Sequence, residues 1–225
     1  MLKIEKTVLP SPEQWEIVIE GMRNPMNSWE KMDSWFDYLT DGEIVSVEPV
    51  VKIGKNDHKL MTSLAKGGAV HAKYRRMIPV FLTINAPLYW WKEFDTYKVG
   101  TVANSCSTMH KIQAKEFTLD DFSHEHLITK AQTYNGYIPN SILWVVIDTL
   151  NEFRKLFLET GNKMYWWQMI QLLPTSYNQK RTVMLNYEVL VNIYHSRKNH
   201  KLDEWHTFCD WIKELPYSEL ITGEE

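Results

Sequence analysis

The sequence predicts a mixed fold of helices and short strands, built as a single domain over residues 1–225. Three observations carry that expectation. Leu2, Ile4 and Val8 alternate with polar residues, the period-two pattern of a half-buried strand. Residues 78–84 are rich in β-formers. Apolar side chains recur at helical spacing in several later stretches, most clearly at Val189, Leu190 and Ile193. With 44% hydrophobic and 13% aromatic residues among 225, the chain can bury a full core. No Pro/Gly/Ser-rich run, like-charge block or internal repeat divides it.

Composition also excludes function classes. A net charge of -3 argues against a general electrostatic footprint for nucleic acid. Cys106 and Cys209 are the only cysteines, too few for a disulfide framework or a cysteine zinc site, which fits a reducing compartment. The first residues lack the apolar core of a signal peptide, and no run is long enough to span a bilayer. The expected setting is cytoplasmic, with neither a membrane nor a nucleic-acid partner.

In chain order, Ser11-Pro12-Glu13-Gln14 carries a capping box, and Trp15, Val18, Ile19 and Met22 form the buried face of the helix it opens. Residues 23–29 read as a polar loop, and 45–53 as a strand with Pro49 at an edge or bulge. A short helix over 57–65 stops at Gly67-Gly68. The basic stretch His71-Ala72-Lys73-Tyr74-Arg75-Arg76 is either a phosphate-holding loop or a solvated turn. Pro87 stands in the first turn of the next helix. His124-Glu125-His126 is read as a surface turn rather than a metal site, because alternate strand residues point apart.

Asn140-Ser141 is expected to cap a long helix with Ile142, Val146, Leu150, Phe153 and Phe157 on its buried side, ending at Gly161. A second helical piece covers about 163–173. After Leu173-Pro174 and a polar connector come two amphipathic helices, the last burying Leu202, Trp205, Phe208, Cys209 and Ile212. At 3.6 residues per turn, Asn186 and Arg197 share a face with Val189, Leu190 and Ile193. A guanidinium on a buried face calls for an anion, whereas one in the last turn with its head in water does not.

This C-terminal stretch resembles the signature of the flavin-dependent thymidylate synthases. That family carries a Leu-Pro, a connector of fixed length, an Asn opening a helix, a second Asn and a closing Arg. Leu173-Pro174, Asn186, Asn192 and Arg197 reproduce it without a gap, and Trp205 follows with a one-residue insertion. More weakly, the likeness reaches back to about His71, through the run from Ala86-Pro87 to Phe94. The family's Arg-His-Arg triplet is replaced by Thr96-Tyr97-Lys98, and its Ser falls on Cys106 without a gap or on Ser107 with one insertion. Glu188 stands where the family often has an Arg, and Ile170 or Gln171 where another Arg precedes the Leu-Pro.

The resemblance implies an α+β fold, an antiparallel sheet packed with helices including two long ones, and a homotetramer with shared active sites. It implies reductive methylation of dUMP to dTMP with methylenetetrahydrofolate and NADPH, through FAD. By the same likeness Ser107 and Cys106 are catalytic candidates, while Arg197, Lys98, Glu93 and Ser105 would bind substrate. His71, Arg76, Tyr97, Asn104, Asn186 and Asn192 would bind the cofactor. Ser105 and Ser107 are expected to donate to a phosphate near a helix start. The other reading is a scaffold with an eroded catalytic signature, kept for nucleotide binding or interaction.

Overall fold

A computed structural model describes residues 1–37, 51–130 and 136–224. In chain order the elements are β1 (Lys3–Val8), α1 (Pro12–Arg23), β2 (Trp35–Phe36), β3 (Val51–Lys52) and α2 (Lys55–Lys66). β4 (Pro79–Pro87), α3 (Leu88–Phe94), β5 (Val102–Ser105), α4 (Pro139–Thr160) and α5 (Lys163–Leu172) follow. The chain closes with β6 (Asn178–Asn186), α6 (Tyr187–Arg197), α7 (Asp203–Lys213) and α8 (Glu219–Thr222). The fold is α+β with an antiparallel sheet. Four strands order as β1-β4-β6-β5, and β2 pairs antiparallel with β3.

Contacts group the chain into two compact units. The first comprises Met1–Glu5, Thr83–Thr96 and Asn104–Thr182, the second Lys6–Leu82, Tyr97–Ala103 and Val183–Glu225.

The first unit is organised by the α4–α5 hairpin. Gly161, at φ 66°, adopts the left-handed conformation that closes α4, and the Asn162 side chain accepts from Met164 N–H to start α5. Leu143, Ile147 and Leu150 are buried with Ile112, Phe117, Phe122 and Met169. The expected stripe is therefore rotated. Val146, Phe153 and Phe157 pack partly against this cluster, whereas Ile142 is 49% exposed. α4 begins at Pro139 after Ile138, one residue ahead of the expected Asn140-Ser141 cap. Trp90, Trp91 and Phe94 pack as a fully buried aromatic trio on α3.

In the second unit, the Ser11 hydroxyl accepts from Gln14 N–H and the Gln14 side chain accepts from Ser11 N–H, the capping box read from sequence. Trp15, Val18, Ile19 and Met22 are all buried. Each such side chain stabilises the fold by roughly 1.5–3 kcal/mol. α1 and α6 both pack on the 73–77 turn, and α7 and α8 pack on α6. Tyr187 meets Trp15 edge-on at 6.0 Å.

Several expectations change. β4 runs through to Pro87, which is the N-cap of α3 rather than a first-turn residue. The polar connector after Pro174 contains β6, whose inward residues Gln179, Val183 and Leu185 are buried. Val8, expected inside, is 46% exposed at the end of β1. Arg23 is the last residue of α1 and buried, not part of a loop. Of the strand expected over 45–53, Val51–Lys52 is present, and residues 45–50 lie outside the described residues.

Candidate functional site

α6 presents two faces, and the site residues divide between them. One face, inward, carries Val189, Leu190 and Ile193, all buried. Asn186 is the N-cap of this helix, its Oδ1 accepting from Val189 N–H at 3.1 Å. Gly100 presses on that cap. A Cβ there would lie 3.1 Å from both Asn186 Nδ2 and Val189 Cγ2, and its φ of +80° suits glycine alone.

At the other end of α6, Arg197 Nε donates to the Tyr97 hydroxyl at 2.9 Å. Its guanidinium stacks 4.8 Å from the Trp205 ring centroid and 5.6 Å from that of Tyr97. The half-buried Arg is thus held by π-faces and a phenol. Lys98, beside Tyr97, is exposed.

The second face of α6 opens on a cavity of about 550 Å³. Glu188, Val191, Asn192 and His195 line it at helical spacing. α2 adds His58, Thr62 and Ala65, the turn after it adds Arg75, and α8 adds Glu219 and Leu220. Asn186 and Arg197 are not among the lining residues. Arg75 is 8% exposed, its Nη1 lying 3.8 Å from Glu188 Oε2. His58 Nε2 meets Glu219 Oε1 at 2.7 Å. Tyr74 donates to Met61 O, and burial pushes its phenol up to about 12, so it stays protonated. His71, Lys73 and Arg76 are exposed on the basic turn, and Arg76 Nη2 donates to Ala69 O at 3.4 Å.

In the first unit, Asn104, Ser105, Cys106 and Ser107 are all exposed. Cys106 is pinned through its backbone: its N–H donates to Lys180 O, and its carbonyl accepts from Gln179 Nε2 at 2.6 Å. Ser107 Oγ accepts from His110 N–H at 2.8 Å and Met109 N–H at 3.3 Å, closing a turn. The helix start expected beside Ser105 and Ser107 is absent among the described residues, because that hydroxyl caps bends instead. Glu93 is half-buried near the end of α3. Arg181, which the sequence did not single out, stacks 4.3 Å over Trp91 and reaches Asp95 at 2.7 Å. Its only sequence signal is a cation in a run that alternates as a strand.

His124 Nδ1 bonds Phe122 O, and Glu125 pairs with the N-terminal ammonium. Among the described residues, no three His, Cys, Asp or Glu side chains gather to hold a metal. No described helix is long and apolar enough to cross a membrane.

No protein-family model and no curated protein matches the sequence. The fold is nevertheless shared with solved structures. Thymidylate Synthase X (ThyX) from Helicobacter pylori with FAD and dUMP aligns at TM-score 0.60 and 14% identity, covering 99% of this chain and 96% of that one. A second structure of that flavin-dependent enzyme, complexed with FAD and dUMP, gives TM-score 0.62 at 14% identity, over 99% and 97%. The UMP/dUMP methylase PolB from Streptomyces cacaoi, bound with 5-Br dUMP, gives 0.62 at 13% identity, over 99% and 94%. The chain thus has the fold of the flavin-dependent thymidylate synthases.

Proposed function

We propose that this protein is a flavin-dependent nucleotide methylase that converts dUMP to dTMP, with methylenetetrahydrofolate as carbon donor and NADPH as reductant. The observation that carries the reading is the shared fold over 99% of the chain with proteins described as ThyX and as a UMP/dUMP methylase. Its support in the sequence is the register from Leu173-Pro174 through Asn186 and Asn192 to Arg197.

The donor set suits FAD. Arg76 is an exposed cation that donates to Ala69 O, a residue lining the cavity that Asn192 also lines, and would help hold its pyrophosphate, with Asn192 offering an amide to the ring. When bound, FAD supplies the hydride. The chain's own groups bind and orient. Arg197 grips the anionic nucleotide while Tyr97 fixes its fork, and Lys98 adds a second positive charge. Ser107 and Cys106 stand exposed on the first unit and are catalytic candidates by the family likeness. The enzyme is proposed to act as a homotetramer in the cytoplasm.

The eroded-scaffold reading has its own observation. Tyr97 occupies the triplet's His position and is already bonded to Arg197, while Glu188 brings a negative charge to the cavity. Rescue of a thymidine-requiring strain separates the two. Growth without thymidine, from a yellow purified protein, supports the enzyme. Soluble protein that neither rescues nor takes up FAD supports the scaffold.

A further inference from the structure

We propose that the second unit carries a surface for single-stranded nucleic acid, on which the exposed indole of Trp35 stacks a base while a row of lysines along α2 follows the phosphates. Charge is spread unevenly along this chain. Residues 52–76 hold seven Lys or Arg and one carboxylate, Asp57, which is buried against Arg23, whereas the whole chain has a net charge of -3. Lys55, Lys59 and Lys66 lie along α2 within about 40° of one direction at 3.6 residues per turn, and all three are exposed. Their row is about 16 Å long at 1.5 Å per residue. A local row of one sign is the electrostatic footprint of a polyanion, and the chain-wide charge hides it.

An aromatic ring stands at the head of that row. Trp35 is 55% exposed and pairs across β2 and β3 with the exposed Lys52, so the two side chains share a face. The residues just before Trp35 tie it to the start of α2. The Ser34 hydroxyl donates to Asp57 Oδ2 at 2.6 Å and accepts from Gly54 N–H at 3.0 Å. The Asp33 carboxylate accepts from the N–H groups of Asn56 and Asp57, so this acid is engaged by the backbone rather than by the lysines. Stacking needs a ring that is both exposed and held in place, and cations beside it to take the phosphates. A lipid surface calls for large apolar side chains alongside the cations, where α2 exposes Ser63. An acidic protein would pair the lysines but give the indole no flat partner. None of these residues is assigned to the mononucleotide or the flavin, so the inference stands apart from the catalytic reading.

Fluorescence anisotropy of labelled oligoadenylates about twelve nucleotides long, one with ribose and one with deoxyribose, tests it on the full chain. Binding is expected at low salt, with log K falling against log salt at a slope of about -3, as for four lysine–phosphate contacts on a single strand. The double variant Lys55→Gln, Lys59→Gln is expected to lessen that slope by about 1.4. Trp35→Ala is expected to weaken binding about tenfold with the slope unchanged. Preference for one sugar names RNA or DNA as the partner, and equal binding assigns the surface to single strands of either kind. No binding of either strand at about 50 mM salt overturns the proposal, and that result depends on no variant folding. A wild-type slope in the double lysine variant does the same. Polyglutamate binding as tightly as the oligonucleotides, or Trp35→Ala binding like wild type, also overturns it and assigns the row to an acidic protein instead.

Discussion

Arg197 Nε donates to the Tyr97 hydroxyl at 2.9 Å, so a bond between residues 100 positions apart in the chain holds the last residue of α6. The bond fixes the guanidinium between Tyr97 and Trp205 rather than leaving it in solvent. Tyr97→Phe keeps the ring under the cation and deletes only the hydroxyl. It is expected to lower stability by about 1 kcal/mol. If Arg197 grips the nucleotide, the same change raises the Kd for dUMP several-fold through a looser fork, and Arg197→Ala abolishes tight binding. Melting curves and dUMP titrations of both variants check this, and unchanged dUMP affinity in Arg197→Ala removes that residue from the substrate site.

Asn186 separates a structural role from a cofactor role. Its Oδ1 is occupied by Val189 N–H and its amide lies under Gly100. Asn186→Ala is expected to cost about 1 kcal/mol in stability, the usual loss of an N-cap. Asn186→Asp should restore most of it, since the carboxylate accepts the same bond and suits the helix N-terminus. Flavin content compared at equal folded fraction reads the second role. A loss in both variants assigns Asn186 to the cofactor, whereas retention in Asn186→Asp leaves it a cap.

Local signals were legible where one segment satisfies itself. The α1 capping box and the inward faces of α1, α6 and α7 follow from spacing alone. α4 was harder, because residues 142–147 are apolar all round and periodicity cannot choose a face; Leu143 and Ile147 are buried where Ile142 is not. β6 was hidden by polar residues at 178–182, its alternation carried inward by a glutamine whose Nε2 donates to Cys106 O and whose backbone carbonyl accepts from Trp91 Nε1. For the site, the helical register grouped Asn186 and Arg197 with Val189, Leu190 and Ile193, and both are half-buried at the two ends of α6, but it did not show their partners. Arg75 beside Glu188, and Tyr97 beside Arg197, are distant in sequence, and nothing local marks them. Asn192 falls on the cavity face instead, with Glu188 and His195.

The two cysteines should differ sharply in reactivity. Cys209 is 3% exposed in α7, and burial pushes its thiol up to about 11, so almost none is thiolate at neutral pH. Cys106 is exposed on the first unit. Iodoacetamide on the native protein is expected to label Cys106 and spare Cys209, with both labelled after denaturation. Mass spectrometry of the digested adducts reads this. Cys106→Ser, which keeps the backbone bonds to Lys180 and Gln179, then shows whether the thiol matters for the proposed methylation.

The start of α2 is anchored by charge, and two variants there should behave differently. Arg23 is 2% exposed and Asp57 0%, with Arg23 Nε 2.6 Å from Asp57 Oδ1. Asp57 Oδ2 also accepts from Asp33 N–H, Ser34 N–H and the Ser34 hydroxyl. Removing one partner leaves a buried charge, so Arg23→Met and Asp57→Leu are each expected to cost roughly 3–5 kcal/mol, and the double variant less than their sum. Asp33 works from the surface. Burial would raise its pKa, but backbone N–H groups of Asn56 and Asp57 outweigh that and hold it below its usual 3.8. A folded-state pKa below the unfolded one gives stability that is present at neutral pH and lost as pH falls through the folded value. Asp33→Asn should therefore melt earlier than wild type at neutral pH, with the gap closing well below 3.8. A gap that stays constant from neutral to strongly acidic conditions would show that the Asp33 charge has no part in holding α2.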